Sequence, residues 1–308
     1  MRRLVCLLLC VLLLTACGTG GTESSASASG SSAAASASSS SSEGGQEPAA
    51  NTPFTLAAAP SYSFHPVLAE STINLTLAPL MYEGLFTLDS TFQAQPLLCQ
   101  NYVVSSDGLT WTFTLQTGIT FSDGTPLTGE VAAQALQTAL APASRYAARL
   151  SSVSSIQGTG NQVVITLSQP NGALPQLLDI PISLGTGDRP LGTGPYVLTD
   201  QNGTLSLTAR SDWRLGVENL PLQEIALSST ARTDELMPAF NAGEITLMDV
   251  DLTGNSALGS SGRYQVWDYN TTSMLYLGFN AQQGLCRDAA VRKAIAQAID
   301  RDDVADSI

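Results

Sequence analysis

The sequence predicts a mixed α/β fold, and three observations carry that expectation. Leu109, Trp111, Phe113 and Leu115 alternate with threonines, the period-two pattern of a strand with one apolar and one hydroxylated face. Val131, Ala135, Leu136, Ala139 and Leu140 recur instead at helical spacing. Between such runs stand turn dipeptides, among them Asp107-Gly108, Asp123-Gly124 and Asn202-Gly203.

Taken in order, residues 54–59 form a short apolar strand that ends at Pro60, and 61–66 form an aromatic-bearing loop. Ile73, Leu77, Leu80 and Met81 place a helix over 72–85, with Pro79 as a kink or early break. A strand follows at 86–88. Residues 101–104 and 109–115 pair as a hairpin across Asp107-Gly108. Gly118 interrupts the second strand, Ile119 and Phe121 resume its apolar face, and Pro126 closes the turn. Thr128 caps the next helix, and Glu130 places negative charge in its first turn, where the helix dipole favours it.

Residues 153–156 and 162–167 make another hairpin, and 173–178 a short helix. Pro190 to Pro195, PLGTGP, is a rigid turn feeding a strand; a phosphate loop is excluded because Pro195 lacks an N–H and no Lys-Ser/Thr follows. Strands 196–199 and 204–209 pair across Asn202-Gly203. Further strands are expected at 222–227, 244–249, 264–269 and 274–280, with a helix at 231–241 containing Pro238. Ala290, Val291, Ala294, Ile295, Ala298 and Ile299 form the apolar face of a helix over 288–299, and another helix begins at DRDDVADSI.

With 308 residues, 44% of them hydrophobic, the chain can bury a sizeable core. Its 26 acidic residues outnumber 13 basic ones, of which Lys293 is the sole lysine. No basic face exists to neutralise phosphates, so nucleic acid is excluded as a partner.

The amino terminus reads as an export signal over residues 1–17. Arg2 and Arg3 precede an apolar run from 4 to 14, too short for a membrane span, and then Thr15-Ala16-Cys17-Gly18. LLTAC followed by Gly18 resembles a bacterial lipobox, which implies cleavage before Cys17 and acylation of its thiol. Residues 18–50 hold no apolar side chain larger than alanine and cannot repay their ordering entropy by burial. They are expected to act as a disordered tether with a reach of roughly 30 Å, beyond which the folded body starts near Asn51. After processing, Cys99 and Cys286 remain in that body; an exported compartment permits a disulfide between them, and two separate thiols are the alternative.

Catalytic chemistry finds little support. His65 is the sole histidine, which excludes a histidine-rich zinc site or a conventional Ser-His-Asp triad elsewhere. His65 itself is either a ligand or base, or a structural loop residue. Asp249 and Asp251 share one side of the expected strand, as paired carboxylates or as a solvated strand end. No nucleophile stands in an elbow motif.

Four blocks, in order, resemble the bacterial solute-binding lipoproteins of extracytoplasmic family 5, the peptide and nickel importer type. They are TFTLQTGITFSDGTPLTGE from Thr112, PLGTGPYVL from Pro190, the region of Trp213 and residues 236–245, and YLGFNAQQGLCRDAAVRKAIAQAIDRDDV from Tyr276. Gln116 stands where the family usually has arginine, Gly129-Glu130-Val131 where Ala-Glu-Asp-Val is commoner, and Phe64-His65-Pro66 where a Leu/Phe-Asp-Pro loop is usual.

The resemblance implies a periplasmic-binding-protein-like, two-lobed α/β fold with an extra subdomain. Residues 51–73 and 190–272 would build the first lobe, 74–189 the extra subdomain, and 273–308 the start of a second lobe that continues beyond Ile308. It implies a monomer without a cofactor, held to the membrane by lipid, that captures oligopeptides or dipeptides between its lobes for an ABC permease and ATPase. A nickel-chelate or oligosaccharide carrier is the alternative of the same fold; a secreted enzyme or a surface adhesin is the alternative of another class. Tyr62, Ser63 and Phe64, with Met274 and Tyr276, are similar to family segments that face the cleft, core packing being the other reading for each. The acidic residue that peptide-binding members use for a ligand's amino terminus would lie beyond Ile308.

Overall fold

A computed structural model describes residues 53–249, 264–267, 269 and 276–306, all within one unit spanning Glu47–Ile308. The expected signal, tether and Cys17, together with Met274 and Asp251, lie outside the described residues.

In chain order, β1 (Thr55–Ala58) leads to helix α1 (Thr72–Met81) and the short strands β2 (Glu83–Gly84), β3 (Phe86–Leu88) and β4 (Ala94–Pro96). The hairpin β5 (Cys99–Val104) and β6 (Thr110–Leu115) precedes α2 (Gly129–Ala139), and the hairpin β7 (Val153–Thr159) and β8 (Gln162–Leu167) follows it. Next come β9 (Pro181–Leu184), β10 (Leu191–Gly192), β11 (Tyr196–Gln201), β12 (Thr204–Ala209), β13 (Glu224–Ser229), α3 (Leu236–Asn241), α4 (Ala289–Ala298) and α5 (Arg301–Asp306).

Two four-stranded sheets dominate. In the first, ordered β1-β13-β12-β11, β1 runs parallel to β13 while the other neighbours are antiparallel. Its tight β11–β12 turn uses Asn202 and Gly203, both at positive φ, which gives the strands the twist a two-residue hairpin requires. Helix α1 lays Leu77, Ala78 and Met81 against Leu205, Leu207 and Ile225. A second small core joins Ala57, Ala59 and Ile73 to Ala239 and Ile245.

The second sheet, ordered β5-β6-β8-β7, is antiparallel throughout. The alternation read from residues 109–115 is realised from Thr110 on: Trp111, Phe113 and Leu115 are buried and the threonines between them half-buried, while Leu109 precedes the strand and is half-buried. Each large side chain so buried contributes about 2–3 kcal/mol. Helix α2 covers this face with Ala132, Ala133, Ala135, Leu136 and Ala139, small residues that let helix and strands approach closely. Thr128 accepts from the Val131 amide, as a cap should.

Three departures of this sequence from the family pattern have local reasons. A Cβ on Gly129 would overlap the Gln162 carbonyl, so the β7–β8 hairpin sits where alanine would not fit. The Gln116 side chain reaches the Leu97 carbonyl at 2.8 Å and fastens the end of β6 to the segment before β5. His65, in place of aspartate, accepts from the Val67 and Leu68 amides through Nδ1.

Several expected elements differ. The helix expected over 72–85 ends at Met81, where Tyr82 turns extended. Glu83 and Gly84 then pair with β9, and a Cβ at Gly84 would crowd backbone atoms of residues 86, 179 and 180. The expected lobe boundary at 73/74 therefore falls inside α1, whose packing is against the first sheet. The helix expected over 231–241 becomes a single tight turn, Thr233–Glu235, followed by α3; Pro238 is tolerated in its first turn, where the N–H has no intrahelical acceptor.

Residues 244–248 run beside β1 without forming a strand. Thr246 donates its amide to the Thr55 carbonyl, but its hydroxyl takes the place of a second ladder bond. Residues 276–280 and the described part of 264–269 are also not strands, because no neighbouring strand pairs with them among the described residues. Helix α4 is capped by Asp288, yet Ile295 on its expected apolar face stays exposed. Cys99 and Cys286 are free thiols, and burial pushes the Cys99 thiol up to about 11.

Candidate solute-binding edge

Parallel strands present their carboxyl ends, and the loops that leave them, on one side of a sheet, where α/β proteins characteristically bind ligands. Among the described residues only β1 and β13 are parallel, in the register Thr55↔Ala226 to Ala58↔Ser229. The loops that leave them, 59–66 and 230–235, therefore emerge side by side. The Thr230 amide bonds the Ala58 carbonyl at 2.7 Å and locks the two exits together.

The first loop is held from below by Asn74, a buried polar residue on α1. Its Oδ1 accepts from the Ala59 amide at 2.8 Å, and its Nδ2 donates to the carbonyls of Ala59, Tyr62 and Ser63. The net result is a loop whose shape is set by one side chain. Tyr62 stands out from it, 48% exposed. Ser63 is half-buried and donates weakly to the Asp188 carbonyl.

Phe64 is different. Its amide donates to Asp188 O at 2.7 Å, and its ring enters the first sheet's core beside Leu77, only 2% exposed. The Arg189 guanidinium lies 5.8 Å over that ring and pairs with Asp200. Phe64 thus packs the base of the loop, and Tyr62 forms its exposed tip. His65 is also buried; burial lowers its pKa, opposed by its backbone hydrogen bond and the Asp188 charge.

The second loop carries a residue that the sequence reading passed over. Arg232 is fixed at the backbone by Glu235, whose carboxylate accepts from the Ala231 and Arg232 amides at 3.0 and 3.2 Å. Its side chain donates through Nε and Nη2 to the two oxygens of Asp234, at 2.9 and 2.8 Å. Hydrogen bonding to Arg232 holds the Asp234 carboxyl below its usual range. Asn74 was legible as a polar residue inside an apolar helical stripe; Arg232 had no pattern to betray it.

Of the other expected site residues, Tyr276 is described and lies 77% exposed in an unpaired segment. Asp249 accepts from the Tyr269 hydroxyl at 2.6 Å. Among the described residues no group of three or more histidine, cysteine or acidic side chains is placed to hold a metal ion.

A separate polar network joins the two sheets. Buried Arg210 donates Nη1 to Thr120 O and Nη2 to Phe121 O, at 3.2 and 3.0 Å, and embraces Asp212 with Nε and Nη2. Glu83, also buried, accepts from Arg214 at 2.8 Å and from Thr193 at 3.0 Å. Burial raises the Glu83 pKa, against the Arg214 charge and the Thr193 hydrogen bond. Two clefts lie along this junction, of about 10 and 60 Å³, far short of the roughly 300 Å³ at which solute pockets begin. This network is structural, and the strand-exit loops are the candidate site.

An α/β lobe with its loops open at the carboxyl ends of a parallel pair, and a second sheet fastened to its flank, is the build of the periplasmic-binding-protein class. Known structures share it. MppA, a periplasmic murein tripeptide binding protein in its unliganded open form, superposes with a TM-score of 0.53 at 19% identity, over 64% of this chain and 45% of that one. NikA from Brucella suis, in complex with Fe(III)-EDTA, gives 0.52 at 21% identity, over 63% and 43%.

The sequence model of the bacterial extracellular solute-binding proteins, family 5 Middle, matches residues 93–308, and the chain belongs to that family. The glutathione-binding protein GsiB of Escherichia coli K12 is 27% identical over 257 residues, 77% of this chain and 49% of the relative. GsiB of Shigella flexneri matches to the same extent. The chain spans about half the length of the curated relatives it matches.

Proposed function

We infer that the protein captures small solutes, oligopeptides or dipeptides foremost, and delivers them to an ABC permease and its ATPase. The observation that carries this reading is the family match over 93–308, which includes the second sheet and the β13 loop. Peptide-type capture is further supported by likeness to a glutathione-binding protein and to a murein tripeptide binding protein. Calorimetry on the intact protein, with di- to pentapeptides, a nickel–histidine chelate and a maltooligosaccharide, tests it. Micromolar or tighter binding of peptides alone is the expected result; binding of the oligosaccharide or chelate alone overturns the peptide assignment.

The second reading, a chelate carrier, is favoured by fold likeness to NikZ from Campylobacter jejuni, solved with Ni(L-His), at 18% identity. An enzymatic reading gains nothing from the geometry. His65, the sole imidazole, spends its Nδ1 on two amides and is 4% exposed.

Membership of an extracellular family supports a site of action outside the cytoplasm, the lipobox-like sequence at Cys17 supports a lipid anchor, and a monomer is part of the same reading. Radiolabelled palmitate incorporated by the wild type and not by Cys17→Ser is the expected outcome; equal labelling rejects the anchor.

A further inference from the structure

The loop after β13 has a chemistry of its own. Arg232 is one of 13 basic residues in a chain of formal charge −13, and it stands at the open edge beside the exit of β1. Its guanidinium is not loosely waving. Glu235 fixes its backbone through two amides, the Glu235 amide returns to the Arg232 carbonyl at 3.1 Å, and Asp234 grips Nε and Nη2. That grip uses one edge of the planar fork. The opposite edge, Nη1 with the remaining proton of Nη2, has no hydrogen-bond partner among the described residues and points away from Asp234. A pre-oriented fork with one edge free loses little entropy when it meets a second carboxylate.

Two more observations locate that free edge at the solute site. Tyr62 and Arg232 stand on loops 59–66 and 230–235, whose strand exits the Thr230 amide locks together. Both are exposed, on backbones that Asn74 and Glu235 hold rigid, which is how a binding group is kept in register.

We propose that Arg232 is a specificity-determining residue that engages a carboxylate of the captured solute through the free edge of its guanidinium. The assignment rests on the solute-capture reading above and adds to it a requirement on ligand charge. It predicts that acidic solutes are preferred over their neutral amides.

The test uses the intact protein with trialanine and trialanine amide as probes, measured by calorimetry for the wild type, Arg232→Ala and Arg232→Lys. The expected result is that trialanine binds at least about tenfold tighter than its amide, that Arg232→Ala removes most of that preference, and that Arg232→Lys keeps part of it. Unchanged thermal midpoints of the variants, both at an exposed site, exclude misfolding as the cause. Equal affinity for both probes, or a preference untouched by Arg232→Ala, overturns the role of Arg232 while leaving capture intact. No binding of either probe by the wild type overturns the peptide reading itself, and this assignment with it.

Discussion

Gly158 in β7 lies against the first residue of α2, Gly129, so closely that a Cβ on Gly158 would overlap the Gly129 carbonyl. The hairpin and the helix amino terminus are thereby in backbone contact, reinforced by the Gly129 amide on the Gly160 carbonyl at 2.7 Å and the Gly160 amide on Glu130 at 2.9 Å. Neither glycine is needed for its φ angle; both are needed for space.

Gly158→Ala is therefore expected to destabilise the protein by about 1–3 kcal/mol through overpacking. Gly172→Ala, where nothing approaches within 4 Å, is expected to stay within about 0.5 kcal/mol of wild type. Urea unfolding of both variants checks the contrast, and an unaltered Gly158→Ala midpoint would show that the hairpin can lift off the helix.

Asn74→Ala leaves one amide and three carbonyls of the 59–63 loop without their partner. The expected cost is about 2 kcal/mol or more, and the Ala59 amide should exchange faster by a comparable factor. Hydrogen exchange reads both. Protection retained at Ala59 in the variant would mean that the loop holds itself.

Glu83 sets a pH signature. Its folded pKa lies above the unfolded value of 4.5 because burial outweighs Arg214 and Thr193. The sign follows: its contribution is full below pH 4.5 and is lost as pH rises through the folded value. Glu83→Gln removes this titration, so its stability relative to wild type should increase between pH 4.5 and 7. Denaturation at several pH values measures it, and a constant difference would contradict the shift.

His65 acts in the opposite direction. Its folded pKa lies below 6.5, chiefly through burial, so its contribution is full above pH 6.5 and is lost as pH falls through the folded value. His65→Asn keeps an acceptor for the Val67 and Leu68 amides and should lose less stability on acidification than wild type. His65→Leu, which strands those amides, should cost about 1–3 kcal/mol at any pH. Thermal melts at pH 5 and 7.5 separate the two variants.

The sheet flanking the lobe was the most legible part of the sequence. Its central strands β6 and β8 alternate cleanly, since one face is packed into the core and the other is not, and burial on one side is what writes a period of two. The hairpins at Asp107-Gly108 and Asn202-Gly203 were legible because positive φ selects glycine and asparagine. The end of α1 was not. Glu83 reads as a surface residue until its partners Arg214 and Thr193 arrive from more than a hundred positions away.

At the candidate site, a short irregular loop has no periodicity to separate exposed Tyr62 from buried Phe64. Arg232 sits in a stretch of ordinary surface composition, and its significance depends on β13 lying parallel to β1, a pairing that no local pattern announces.

That parallel pairing also constrains how the protein can be made. Synthesis begins at the amino terminus, so β1 emerges early, yet its ladder partner β13 begins only at Glu224, and the bond between Thr55 and Thr246 spans 191 positions. All four strands of the flanking sheet have been made once β8 emerges, whereas β1 waits for β13. Such non-local closure is slow. A nascent chain therefore makes the flanking strands before it can pair β1 with β13, the contact beside which the solute is proposed to bind.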